Sequence, residues 1–150
     1  MWSVAGVADV GGDGKDDLIL RNAQDGLVTV WEMNGDTPTR GETFGGVSSD
    51  WEIAAVHDFD GDGRADLLWR NDTTNTASVW EMNGAASEAR YDFGFDADWE
   101  IVTIGRLSDD LTDDLLLRAA DGRFLTVAMA DGGVPEVTLV GSLDPAWTPL

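Results

Sequence analysis

The sequence predicts an all-β fold assembled from one four-stranded unit used three times. Tryptophans at positions 2, 51, 99 and 147 recur at intervals of 49, 48 and 48 residues, and an internal period must be recognised before any local assignment is trusted. Short runs of strand length follow each tryptophan at matching offsets, and tight-turn dipeptides separate them: Asp25-Gly26, Asn34-Gly35, Asn83-Gly84, Asp121-Gly122 and Asp131-Gly132. Nothing reads as a helix.

The first unit opens with Trp2-Ser3-Val4-Ala5-Gly6-Val7, passes through an aspartate-rich loop from Asp9 to Asp17, and continues in Leu18-Ile19-Leu20-Arg21-Asn22. Val28-Thr29-Val30-Trp31-Glu32-Met33 is its third strand, and a stretch ending at Phe44-Gly45 its fourth. The second unit gives the same series, with Trp51 to Val56, Leu67-Leu68-Trp69-Arg70, Ala77 to Met82 and Arg90-Tyr91-Asp92-Phe93-Gly94. In the third the pattern has decayed to Val127-Ala128-Met129 and Leu139-Val140-Gly141, so that Ala128 breaks the Trp31, Trp80 series. The expected repeats span about 2–50, 51–98 and 99–146, and 147–150 open a fourth in which Pro149 falls where Ile53 and Ile101 sit. Four strands per unit at a period near fifty is the signature of a β-propeller blade.

Composition narrows the partners. With 150 residues, 43% of them hydrophobic and 25% charged, the chain is long enough for a real core and too balanced for disorder. The 29 acidic against 9 basic residues leave a net charge of −20, which repels nucleic acid and anionic membrane surfaces and favours cations. The absence of cysteine excludes disulfides and thiol chemistry. No apolar run approaches the length of a membrane span.

The candidate site is Asp58-Phe59-Asp60-Gly61-Asp62-Gly63-Arg64-Ala65-Asp66. Carboxylates at its first, third, fifth and ninth positions, spaced by glycines that allow positive φ, suit a large hard cation with oxygen ligands, and calcium is the natural choice. The expected ligands are Asp58, Asp60, Asp62, the Arg64 carbonyl and Asp66. An EF-hand is excluded, because its twelfth position needs a bidentate Glu and here is Trp69. The first loop keeps Asp9, Asp13, the Lys15 carbonyl and Asp17, with Gly11 in place of the third-position acid; Asp16 reads as a surface charge. In the third loop, 106–114, Arg106 stands at the first ligand position and both glycines are gone. The expectation is two Ca²⁺ ions per chain, with a salt bridge from Arg106 to Asp110 and Asp114 replacing the third.

The series Trp51-Glu52-Ile53, Asp58-Phe59-Asp60-Gly61-Asp62-Gly63-Arg64-Ala65-Asp66-Leu67-Leu68-Trp69-Arg70-Asn71 and Val79-Trp80-Glu81-Met82-Asn83-Gly84 resembles the FG-GAP/VCBS-type repeat of bacterial extracellular proteins, related to the calcium-bearing blades of integrin α-chains. The resemblance implies a propeller with calcium in the hairpin loop joining the first two strands of a blade, a secreted or surface location, and a binding or adhesion role without catalysis. Three blades cannot close a ring, since each would have to turn by about 120°. Two copies making a six-bladed homodimer is the simplest resolution. The alternative function is carbohydrate binding, which requires exposed tryptophans at equivalent places. Packing between blades is the simpler reading of Trp2, Trp51, Trp99 and Trp147. His57, the only histidine, has no nucleophile motif beside it, and the first loop is no phosphate loop, because no Ser or Thr follows Lys15 and its aspartates repel phosphate.

Overall fold

The computed structural model describes residues 1–96, 98–129 and 135–143. Among them there are twelve strands and no helix. The first antiparallel sheet contains β1 (Trp2–Ala8), β2 (Asp17–Asn22), β3 (Leu27–Asn34) and β4 (Thr37–Phe44) in sequence order. The second contains β5 (Glu52–His57), β6 (Asp66–Asn71), β7 (Thr76–Asn83) and β8 (Ala86–Gly94), and the third β9 (Trp99–Gly105), β10 (Asp114–Ala119), β11 (Arg123–Ala128) and β12 (Glu136–Ser142). The fold class is therefore as the sequence predicts: three four-stranded antiparallel sheets, each a meander in the manner of a propeller blade. The Asp131-Gly132 turn, Trp147 and Pro149 lie outside the described residues.

Local chemistry accounts for the hairpins. Gly26 at φ 76° turns β2 into β3, a left-handed conformation that costs glycine nothing. At the same place in the second sheet stands Asn75, with φ 54°, the non-glycine type that best tolerates this region. The sequence pattern of Gly dipeptides did not flag this turn, yet the Asn was its signal.

The sheets are held in a row by two apolar cores. One lies between the first and second sheets and gathers Val10, Ile19, Val28 and Val30 against Leu67, Trp69, Trp80 and Met82. The other lies between the second and third and gathers Phe59, Leu68 and Val79 against Trp99, Leu115 and Val127. The central strand β6 is buried at every position, because it has a neighbouring sheet on each face; its continuous apolar run records that double burial. The close approach of the first two sheets passes over Gly6, where a Cβ would stand 2.5 Å from Cγ2 of Val56.

Register corrects one reading of the third unit. Leu18 pairs with Trp31, Leu67 with Trp80, and Leu115 with Val127. Val127, not Ala128, is thus the counterpart of the tryptophans. A one-residue deletion before Met129 hid this, since shifting a strand by one residue moves each side chain to the opposite face.

Phe59 is wholly buried in the second core. Phe59→Ala is expected to cost about 3–5 kcal/mol, read as a lower denaturant midpoint with an unchanged slope in urea unfolding.

Candidate metal centre

Each aspartate loop joins the first two strands of a sheet, and its ninth residue begins the second strand. That residue is a structural clamp in all three sheets. The buried carboxylate of Asp66 accepts the Phe59 N–H through Oδ2 at 2.8 Å and the Met82 N–H through Oδ1 at 2.8 Å, tying the loop to the end of β7. Asp17 does the same with the Val10 and Gly11 N–H groups at 3.1 and 3.2 Å and with Met33 at 2.8 Å. Asp114 accepts from the Leu107 and Ser108 N–H groups at 2.8 and 2.7 Å, and from Met129 at 2.9 Å. The sequence reading assigned Asp17 and Asp66 as ligands alone; their backbone bonds are a second role.

The first residue of the loop shapes its turn. Asp58 accepts the Gly61 N–H at 2.7 Å and the Gly63 N–H at 3.0 Å, and Asp9 accepts from Gly12 at 2.6 Å and Gly14 at 2.7 Å. In the second loop, carboxylate oxygens of Asp58, Asp60 and Asp66 lie within 4.8 Å of one another. This is the one group of three or more potential ligands found among the described residues. An all-oxygen set at that spacing fits a hard divalent cation such as Ca²⁺.

The other expected ligands are placed differently. Asp62 forms a salt bridge with the Arg64 guanidinium, whose Nε also donates to the Met82 carbonyl at 3.1 Å. The Arg64 side chain therefore folds back against its own loop and the end of β7. In the first loop Asp13 pairs with Lys15 Nζ at 2.7 Å, and that ammonium holds the Asp13 carboxyl below its ordinary pKa. Asp9, Asp13 and Asp17 are not drawn into one cluster, and Gly11 supplies no side chain to join them.

The expected salt bridge in the third loop is corrected. Among the described residues Arg106 makes no ion pair. Hydroxyls do the work instead: the single proton of Ser108 Oγ is shared between Asp114 at 2.8 Å and Asp110 at 2.9 Å, and Thr112 Oγ1 donates to Asp110 at 2.6 Å. These bonds stabilise the charged Asp110 carboxylate and lower its pKa. Ser108 and Thr112, hydroxyl residues in a loop whose two counterparts have none, were the legible sign.

Electrostatics single out the second loop. Burial pushes the Asp66 carboxyl up to about 7, against the pull of its two backbone donors, and the Asp60 and Asp62 charges push the same way. Burial raises Asp60 as well. Such a group is charged reluctantly until a cation arrives.

Two arginines near the ends of the second strands also have structural work. Arg21 Nη2 donates to the carbonyls of Val47 and Ser48 at 3.1 Å and of Trp51 at 3.3 Å, stitching the connection between the first two sheets, and its guanidinium lies 5.0 Å from the Trp69 ring centroid. Arg70 takes the same place one sheet on, 4.1 Å over Phe95.

Residues 9–69, from the first aspartate loop through the second loop to Trp69, match the model of the FG-GAP-like repeat. Over this segment the chain is similar to an FG-GAP-like repeat. No curated protein matches the chain. FG-GAP-like repeats build propeller-type interaction modules, generally non-catalytic and typically extracellular. No helix among the described residues is long and apolar enough to cross a membrane.

The sign of the pH effect follows from Asp66. Its pKa is higher folded, about 7, than the ordinary 3.8, so metal-free stability from this group is full below pH about 4 and is lost as pH rises through about 7. The carboxyl ¹³C resonance of Asp66 is expected to titrate near 7 in chelator and far lower in excess Ca²⁺, and the stabilisation by Ca²⁺ to grow over that interval.

Proposed function

We propose that this chain is a non-enzymatic, calcium-binding module of propeller type that serves extracellular scaffolding or adhesion through protein contacts. The observation that carries the reading is the Asp58, Asp60, Asp66 cluster, with oxygens within 4.8 Å, on a hairpin loop of the FG-GAP-like segment. Ca²⁺ held by these oxygens would relieve the burden of a buried carboxylate beside two like charges, and ligands that the unfolded chain cannot gather convert binding into stability. The first loop, with Asp13 engaged by Lys15 and no third-position acid, is the weaker of two sites. The third loop binds none, Asp110 and Asp114 being engaged by Ser108 and Thr112.

The carbohydrate-binding alternative is disfavoured by the tryptophans. Trp31 is 41% exposed while its counterpart Trp80 is 7% exposed, and one face of Trp80 already carries the Arg90 guanidinium, 3.6 Å from its centroid. A sugar platform needs an open ring at equivalent places, and the described residues offer no such set.

Calorimetric titration of the chelated protein is expected to show two Ca²⁺ ions, with affinities on the order of 10⁻⁴ to 10⁻³ M as in extracellular modules. Asp58→Asn combined with Asp60→Asn should abolish the tighter one. Three ions, or none, would end the proposal. A chelator-reversible rise in Tm is the accompanying expectation; about 2.7 kcal/mol accrues when free Ca²⁺ is ~100 times Kd.

A further inference from the structure

The three sheets stand in a row, so among the described residues no sheet covers the leading face of the first or the trailing face of the third. The residues on these faces are the counterparts of those that the row buries. By strand register Val4 corresponds to Ile53 and Ile101, and Val7 to Val56 and Ile104. The later four pack into the two cores, whereas Val4 and Val7 are 61% and 55% exposed. At the other end Leu107 occupies the place of Val10 and Phe59; they are 0% exposed and it is 47% exposed. The two bare faces are thus the two halves of a junction that the chain already makes twice.

A backbone bond marks each internal junction. The Ala65 N–H donates to the Asp9 carbonyl at 2.8 Å, and the Asp113 N–H donates to the Asp58 carbonyl at 2.8 Å. The eighth residue of one loop therefore meets the first residue of the loop before it. Continued outward, the same rule leaves Asp16 over on the leading face and Arg106 over on the trailing face. Among the described residues neither side chain has an ion-pair partner. Opposite charges stand at the two positions that a third junction of this kind would bring together.

We propose that a second copy of this chain covers both faces. The third sheet of each protomer stacks on the first sheet of its partner, so that two identical junctions close a two-fold ring of six sheets, each carrying an Arg106–Asp16 ion pair. The occupant is another copy because the surface that fits the leading face is the trailing face of the same chain. Six sheets fall within the four to eight that close a propeller, and three do not. Reciprocal head-to-tail contacts between two protomers leave no free end to propagate a fibre. Each protomer carries a charge of −20, so the copies repel at long range, and an attractive pair at each junction sets which faces meet.

Light scattering of the whole chain in Ca²⁺-containing buffer is expected to give twice the 16.1 kDa of one chain. Arg106→Asp and Asp16→Arg should each weaken dimerisation by roughly tenfold or more, and the two together in one chain should restore it by exchanging the charges. Val4→Asp should yield a single-chain mass with an unchanged β circular-dichroism spectrum. If Val4→Asp does not fold, the charge exchange decides alone. A single-chain mass for the unaltered protein at about 10 µM, a ladder of open polymers, or failure of the double exchange to restore the dimer would overturn the proposal; the mass of the unaltered protein in chelator separates ring closure from metal binding.

Discussion

A buried carboxylate at the ninth position of each aspartate loop is the constraint from which the rest of the structure follows. Asp17, Asp66 and Asp114 each lock a loop to the end of the third strand of the same sheet through backbone N–H donors. A charged group out of water must be hydrogen-bonded to be tolerated, and here the donors come from two segments that would otherwise be free to separate. The clamp persists in the third loop, where Asp110 takes hydroxyl partners. Loop geometry is therefore established by the protein itself, and a cation would be added to a shape that already exists.

Above the clamp, stacking decides what each face contains. A β-sheet with two apolar faces is stable only when both are covered, and β6 shows this condition fully met. The tryptophans report it quantitatively: Trp2 is 44% exposed on the first sheet, Trp51 is half-buried on the second, and Trp99 is 7% exposed on the third. The tryptophan at this structural position is most exposed where no sheet precedes it among the described residues, and it is more buried in the two later sheets.

Much of this was legible before any coordinates. The period of the tryptophans fixed the number of sheets, the apolar runs gave the strands, and the aspartate spacing located the loops. What the sequence could not convey was competition for the same carboxylates. Asp62 counts as a ligand by spacing, but Arg64, two residues on, offers a guanidinium within reach, and the ion pair forms. Arg106 invites a salt bridge by sign of charge, but the hydroxyls of Ser108 and Thr112 are shorter, closer and less costly to order. The deletion before Met129 shifts the third unit by one residue, and the pairing of Leu115 with Val127, together with the Asp114 clamp, reveals which residue faces which core. Local spacing identifies which groups can meet, while three-dimensional neighbours decide which do.

The loops also touch one another, and this joins cation binding to stacking. The carbonyls of Asp9 and Asp58, whose side chains open the first and second loops, accept the N–H of the next loop, and His57 lies 3.1 Å from Asp113 across the same junction. All three acidic loops consequently gather along one rim, where like charges accumulate. A cation in the second loop would lower that repulsion and at the same time fix the carbonyl on which the third sheet is hung. Its stabilising effect would then extend from one hairpin to the junction beyond it. In the third loop Arg106 stands in place of an acid, and the hydroxyls of Ser108 and Thr112 already meet Asp110 and Asp114.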